Sequence, residues 1–240
     1  MDDSALDLAA QVGTFFVLDR WTADAGWRPL RELAERPDVL VERVAAARRL
    51  LAGRSRVPVD QIEERAAASI VFLGLAARLV SPAFACAALA DQVPDLSIER
   101  LWWKPVEGGP WPMARSAGEP LDPAAPVAEN LADELDARIL AAVVAPVLGS
   151  FATTFSLSSQ VLWGNVASSL AGAQTMLAAA HPDRAAAGRS LLGRLLERGT
   201  LRATGDLDVA GTPFRRRSCC LFYRMPGAGI CGDCVLTDVP

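Results

Sequence analysis

The chain has 240 residues, 51% of them hydrophobic, so it can bury a core of its own without disulfide or metal staples. Its formal charge of −4 excludes a general attraction to nucleic acid, although a local basic run lies near the C-terminus. The opening Met1-Asp2-Asp3-Ser4 lacks the positive region of a secretory signal, and no small-residue cleavage site follows an apolar core, which points to the cytoplasm.

Alanine and leucine dominate while tyrosine and β-branched residues are sparse, which predicts a mainly α protein. Leu6, Ala9, Ala10, Gly13, Phe16, Val17 and Arg20 fall at helical spacing and predict a first helix across 5–20. A second helix is expected to start at Pro29, a favoured first position, and to run towards Gly53 with a break near Pro37. Asp60 and Glu63 have the spacing of a capping box, with Asp for the usual Ser or Thr, opening a helix that ends near Val80. Ser81-Pro82 then predicts a cap and first turn for a short helix through Cys86 to Asp91. The apolar stretch from Ala66 to Ala90 therefore reads as two buried helical pieces. Arg78 and Pro82 interrupt it and much of it is alanine, so no integral membrane segment is expected there.

The pattern changes between Val93 and Pro126. Leu101, Trp102 and Trp103 precede Glu107-Gly108-Gly109-Pro110, and Trp111 and Met113 follow, which predicts a β-hairpin within 96–115. Pro105, Pro110 and Pro112 make its strands edge-like or irregular. Residues 117–126 read as a loop. Helical character resumes from about Val127 to Val147, with Pro146 ending or kinking it. Ser156 or Ser158 caps the next helix, which continues through Trp163-Gly164-Asn165 to Ala180; Trp163-Gly164-Asn165 reads as a packing point where glycine allows close approach. His181-Pro182 begins a further helix, and Gly199 sits where a terminating glycine belongs.

The remainder holds four of the five cysteines, as Cys219-Cys220-x10-Cys231-x2-Cys234. Such crowding in one short segment suits a metal better than a secreted disulfide framework. Two intervening residues let Cys231 and Cys234 chelate one centre, and Gly232, Gly227 and Gly229 let the loop curl closely, with backbone N–H groups available to sulfur. Three chemistries fit this spacing. A structural zinc site normally uses two spaced pairs, which vicinal Cys219 and Cys220 match badly. A 2Fe–2S core spreads its ligand positions over two irons and accommodates neighbours more easily. A redox disulfide draws support mainly from the CxxC pair.

The C-C-x10-C-x2-C tail resembles the C-terminus of the FhuF-type ferric-siderophore reductases, and Leu162-Trp163-Gly164-Asn165 with its Ala/Ser-rich continuation resembles the body of that family. The resemblance implies a mostly helical body over 1–200 and a 2Fe–2S-binding segment over 201–240. It implies that Cys219, Cys220, Cys231 and Cys234 hold the cluster, and that one-electron reduction of Fe(III) to Fe(II) releases iron from a siderophore, of hydroxamate type in the expected case. A non-catalytic helical protein with a zinc-stabilised tail is the alternative.

Arg215, Arg216, Arg217 and Arg224 surround the cysteines and suit a negatively charged cluster, an anionic chelate or an electron donor; a solvated basic run is the plainer reading. Trp102, Trp103, Lys104, Trp111 and Arg115 offer a face for a bulky chelate, against the simpler reading that they pack the hairpin onto the helices. Lone His181 reads as a cap or surface residue, which leaves no Rieske-type site, and Cys86 as a buried small hydrophobe. No Gly-rich phosphate cradle occurs, so electrons are expected from a separate ferredoxin or flavin reductase. The expected location is cytoplasmic, with peripheral attachment at the inner membrane face compatible with that role.

Overall fold

The computed structural model describes residues 4–23, 26–117, 130–207 and 213–236. The protein is mainly helical, with a small sheet at one place and a cysteine-rich C-terminal segment at another. Helix α1 spans Ser4–Ala10, a 3₁₀ turn follows at Thr14–Phe16, and strands β1 (Asp19–Arg20) and β2 (Arg28–Pro29) come next. The expected single helix over 5–20 is thus cut short. Gly13 adopts φ 153°, a conformation that an L side chain resists, and the chain turns there. Pro29 sits in a strand rather than opening a helix. The helix expected after it begins as one turn, α2 (Glu32–Glu35), and as α3 (Pro37–Ser55), where Pro37 occupies the first turn as its fixed φ favours.

Helix α4 runs unbroken from Glu64 to Ala90. Two features differ from the sequence reading. No side-chain cap forms at Glu63, so the capping box is not made. Pro82 also lies inside the helix and does not divide it. A proline removes one intrahelical hydrogen bond and strains the turn before it. Here burial outweighs that cost, because the residues around it from Leu79 to Ala88 are all buried. Helix α4 packs along α7 (Ser159–Ala180) and also meets α1, α3, α6 (Ala145–Phe155) and α8 (Ala185–Leu196). Phe72 and Phe84 of α4 are fully buried, and Phe72 lies 5.2 Å from Phe151 of α6, ring centre to ring centre. Each such ring contributes about 1.5–3 kcal/mol through removal from water.

By length and apolar composition two stretches, Glu64–Ala90 and Leu131–Phe155, match a membrane span. The first is the hub of the fold, with most of its surface covered by other helices, which accounts for its composition.

The hairpin forms as β3 (Leu101–Trp103) and β4 (Met113–Arg115), paired antiparallel with Trp102 opposite Ala114. These strands are central, not edges: β1 adds to β4 in parallel and β2 to β3 antiparallel, giving the order β1-β4-β3-β2. Pro105, Pro110 and Pro112 lie in the connection, where they cost no ladder bond. The expected loop over 117–126 falls almost wholly outside the described residues.

Helix resumes at α5 (Leu131–Leu135), capped by Asn130, whose side chain accepts from the N–H groups of Ala132 and Asp133. It passes through a π-helical stretch, Asp136–Val144, into α6, so Pro146 does not end it. The wider turn gives way to α-helix directly before Pro146, and the register change absorbs the missing donor. Ser158 caps α7 as expected, accepting from Val161 N–H at 3.3 Å. A 3₁₀ turn at Pro182–Arg184 leads into α8, which ends at Leu196, three residues before Gly199.

Candidate metal centre

The C-terminal segment is tied down by arginines and by a close helix contact. Strand β6 (Arg215–Arg216) pairs with β5 (Gly205–Asp206), a ladder the sequence gave no sign of. Arg217 closes it through an ion pair with Asp206. Arg215 Nε donates to Cys234 O at 3.0 Å, and the Arg216 N–H donates to Asp233 O at 3.1 Å, so both fasten the Cys231–Cys234 turn to β6. Arg224 Nη1 reaches both carboxylate oxygens of Glu63, at 2.7 and 2.9 Å, anchoring the 3₁₀ turn Phe222–Arg224 at the start of α4. Each of the four arginines therefore has a partner within the chain. Arg215, Arg217 and Arg224 are nevertheless exposed to solvent, as the plainer reading has it, and Arg216 is buried.

Behind the segment, Ser218 Oγ donates to Gln160 O at 2.9 Å across α7. A Cβ on Gly164 would stand 2.1 Å from that hydroxyl oxygen and 3.2 Å from Arg216 Nη2. The glycine is a close-approach point as expected; its partner is the residue before Cys219. Next to it, fully buried Asn165 donates to Ser69 O and Ser69 Oγ, both at 3.0 Å, and accepts from Arg216 Nη2 at 2.5 Å. One amide thus joins α4, α7 and the cysteine segment.

None of the four tail cysteines, nor Cys86, is in a disulfide. Cys220 Sγ and Cys231 Sγ stand 3.6 Å apart, well beyond the ~2.05 Å of a disulfide but close to the roughly 3.8 Å between two thiolates on one tetrahedral metal. Two backbone N–H groups point at sulfur: Leu221 to Cys219 Sγ at 3.3 Å, and Leu236 to Cys234 Sγ at 3.4 Å. These donors come from the residues two beyond a cysteine rather than from the loop glycines, as the sequence suggested. Of those glycines, Gly227 adopts φ 73° and needs its freedom, whereas a Cβ on Gly229 or Gly232 would meet nothing within 4 Å.

Cys220 and Cys234 are buried; Cys219 and Cys231 are half-buried. A cavity of ≈ 360 Å³ opens beside Cys231 and Cys234, lined also by Phe214, Arg215, Ile230 and Asp233. Burial pushes the Cys231 thiol well up, helped by Cys220 and Asp233 nearby. Burial also raises Cys219; the Leu221 N–H opposes that, and the neighbouring Cys220 and Cys234 add to it. Cys219 and Cys231 thus resist ionisation in this setting, and a cationic metal core would favour their thiolates.

Among the described residues no three His, Cys, Asp or Glu side chains converge on the position of a single ion. One close sulfur pair, N–H donors aimed at two other cysteine sulfurs and a buried guanidinium nearby are compatible with an iron–sulfur core.

The other candidates lie elsewhere. Arg78, on α4, holds the N-terminal turn and the hairpin by donating to Thr14 O, Val17 O and Trp111 O. It is fifteen residues from Glu63, about 22 Å along the helix. Trp103 is fully buried against Trp111, so it is core and presents no face to a substrate. Half-buried Trp102 stacks on Trp21, and Lys104 lies 4.3 Å over the ring of Trp27. Trp111 lies under the Arg43 guanidinium, and Arg115 ends β4. The hairpin residues therefore assemble with the N-terminal strands, not with the cysteines. His181 terminates α7, donating its backbone N–H to Leu177 O. Cys86 is fully buried on α4, as expected. Sequence reading missed Glu63, Asn165 and Ser218 as supports of the centre; a buried Asn on an apolar helix was the available signal for one of them.

Fold and centre together define a helical protein that presents a gathered set of four cysteine thiols at its C-terminal end. Residues 216–236 match the FhuF 2Fe-2S C-terminal domain, so the chain carries that domain, and its cofactor is a 2Fe–2S cluster. No curated protein matches the chain.

Proposed function

We propose that the protein is a ferric-siderophore reductase, an oxidoreductase that releases iron by passing one electron to chelated Fe(III), with Cys219, Cys220, Cys231 and Cys234 as the cluster ligands. The observation that carries this reading is the placing of Cys231 and Cys234 on an open cavity at the protein surface, beside the 2Fe–2S domain's other two cysteines. When bound, the cluster supplies one electron per cycle. The chain's own contribution is binding and electrostatics. Leu221 and Leu236 direct N–H groups at thiolate sulfur, and the arginine anchors keep the loop in shape as charge changes.

Chemistry favours the substrate class. Hydroxamate oxygens are hard donors that grip Fe(III) and hold Fe(II) far less tightly, so one electron loosens the ion without destroying the carrier. The balance is simple: Fe(III)-chelate gains the electron that the protein loses, and a separate ferredoxin or flavin reductase restores it. The cytoplasm, where imported chelates arrive, is the compartment we assign, with the inner membrane face as a place of work.

Anaerobic mixing tests the reading. Protein reduced by one equivalent should reoxidise when a ferric hydroxamate is added, and a ferrous chelator should develop its colour in equal amount. Reduced protein that stays reduced before ferric hydroxamates and catecholates alike would leave the cluster without this substrate.

A further inference from the structure

Among the described residues three charged side chains are buried: Arg78, Asp95 and Arg216. Arg78 spends its donors on three backbone carbonyls, and Asp95 pairs with Arg100. Arg216 differs. It is 1% exposed, its Nε donates to Ser218 O at 2.6 Å, its Nη2 donates to Asn165 Oδ1, and its Nη1 is buried with no partner. Neither of its two acceptors is a carboxylate. A guanidinium taken out of water normally keeps a counter-anion and fills its donors.

The bond to Ser218 O fixes where this cation lies. Ser218 precedes Cys219, so the side chain folds back along the strand that leads into the vicinal cysteines. Asn165, itself bonded to Ser69, and the close approach at Gly164 hold the guanidinium from behind. The site has a built socket, a fixed charge and an unused donor. The group it lacks is an anion.

We propose that Arg216 is the buried counter-cation of the 2Fe–2S cluster, donating from Nη1 to sulfur at the Cys219–Cys220 end and holding the reduction potential up. This rests on the assignment of the four cysteines as ligands. Four thiolates and two sulfides outweigh the charge of the irons, and reduction adds one more negative charge. A fixed positive charge in a low-dielectric setting therefore favours the reduced state more than the oxidised one. Replacing it with a neutral group must lower the potential. Arg217, exposed and paired with Asp206, is screened by water and sets the control.

The test is an anaerobic redox titration of the purified, cluster-loaded protein followed by its paramagnetic signal. In Arg216→Gln the reduction equilibrium should move about tenfold or more towards the oxidised form, which is about 59 mV for one electron. Arg216→Lys should move it less, and Arg217→Gln should stay near wild type. A loaded Arg216→Gln protein with unchanged potential overturns the proposal. If that variant does not retain a cluster, wild-type protein grown with guanidino-¹⁵N arginine decides: pulsed electron paramagnetic resonance should show a weak ¹⁵N coupling that persists in Arg215→Lys. No coupling in reduced wild type overturns it. Wild-type protein that is colourless and silent would instead sink the cluster-ligand assignment, and this inference with it.

Discussion

Replacing Gly164 by alanine should detach the cysteine segment while leaving the helical body folded. Alanine is the better helix residue by about 0.8–1 kcal/mol, so a purely local view predicts stabilisation of α7. Tertiary contact predicts the reverse. The new methyl would stand 2.1 Å from Ser218 Oγ, and 3.5 Å from its Cβ, with Arg216 Nη2 at 3.2 Å. Ser218 is a short side chain with no far end to swing aside, and its hydroxyl is committed to Gln160 O. Relief requires that bond to break, at about 1 kcal/mol, and the backbone leading to Cys219 to shift, for which overpacking typically costs about 1–3 kcal/mol. Net of the helix gain, docking of the segment weakens by about 1–3 kcal/mol, roughly five- to a hundred-and-fiftyfold. The assay is cluster retention: visible absorbance as isolated, and its rate of loss under a ferrous chelator, read beside far-UV circular dichroism of the body. Adding Ser218→Gly to Gly164→Ala should restore part of the lifetime by removing the colliding atoms. A Gly164→Ala protein whose cluster is as long-lived as wild type would refute the reasoning.

Other expected outcomes bear on separate parts of the molecule. Serine at Cys219, Cys220, Cys231 or Cys234 should abolish or strongly shift the visible spectrum, while Cys86→Ser leaves it intact; any tail variant with a wild-type spectrum removes that residue from the ligand set. Burial pushes the Cys86 thiol from 9.0 up to about 12. Between those values the unfolded chain has lost the proton that the folded chain keeps. Stability should therefore be unaffected by this group below about pH 9 and fall by up to about 1.4 kcal/mol per pH unit above it. In Cys86→Ala, alkaline denaturation curves should lack that slope, and an unchanged slope counts against a buried, protonated thiol. Arg78→Met should cost about 2–4 kcal/mol, because it strips three backbone carbonyls, that of Trp111 buried, of their donor. Thermal unfolding should fall by several degrees with no change in the cluster's spectrum below the transition; a spectral change would mean that the hairpin end and the metal end are coupled.

The clustering of the four cysteines is legible in the chain because spacing is a local property. Cys231-x-x-Cys234 and the vicinal pair lie within sixteen residues, and so short a segment brings its sulfurs together in almost any compact turn. The hairpin is legible for a similar reason: Leu101–Trp103 and Met113–Arg115 flank a Gly-Gly-Pro connection. What failed were places where local signals met distant packing. Ser81-Pro82 read as the start of a new helix and Pro146 as an end or a kink, yet the chain runs helical through both prolines, one inside a buried hub and the other after a π-helical register change. Gly13 read as one more member of a helical stripe, yet α1 ends at Ala10 and Gly13, at φ 153°, leads into a separate 3₁₀ turn.

By itself the sequence determined a helix-rich composition, four cysteines in one short span and a glycine on α7 suited to close approach, since each depends on residue type and spacing over a turn or two. Tertiary structure decided what those features meet. Arg224 finds Glu63 across 161 residues, Arg216 finds Asn165 across 51, and Ser218 lies against Gly164. It also carried the tryptophans of the hairpin away from the cysteines, since Arg78 at one end and Glu63 at the other stand about 22 Å apart along α4. Charge and shape complementarity between segments far apart in the chain has no periodicity to read, and appears once the helices have packed.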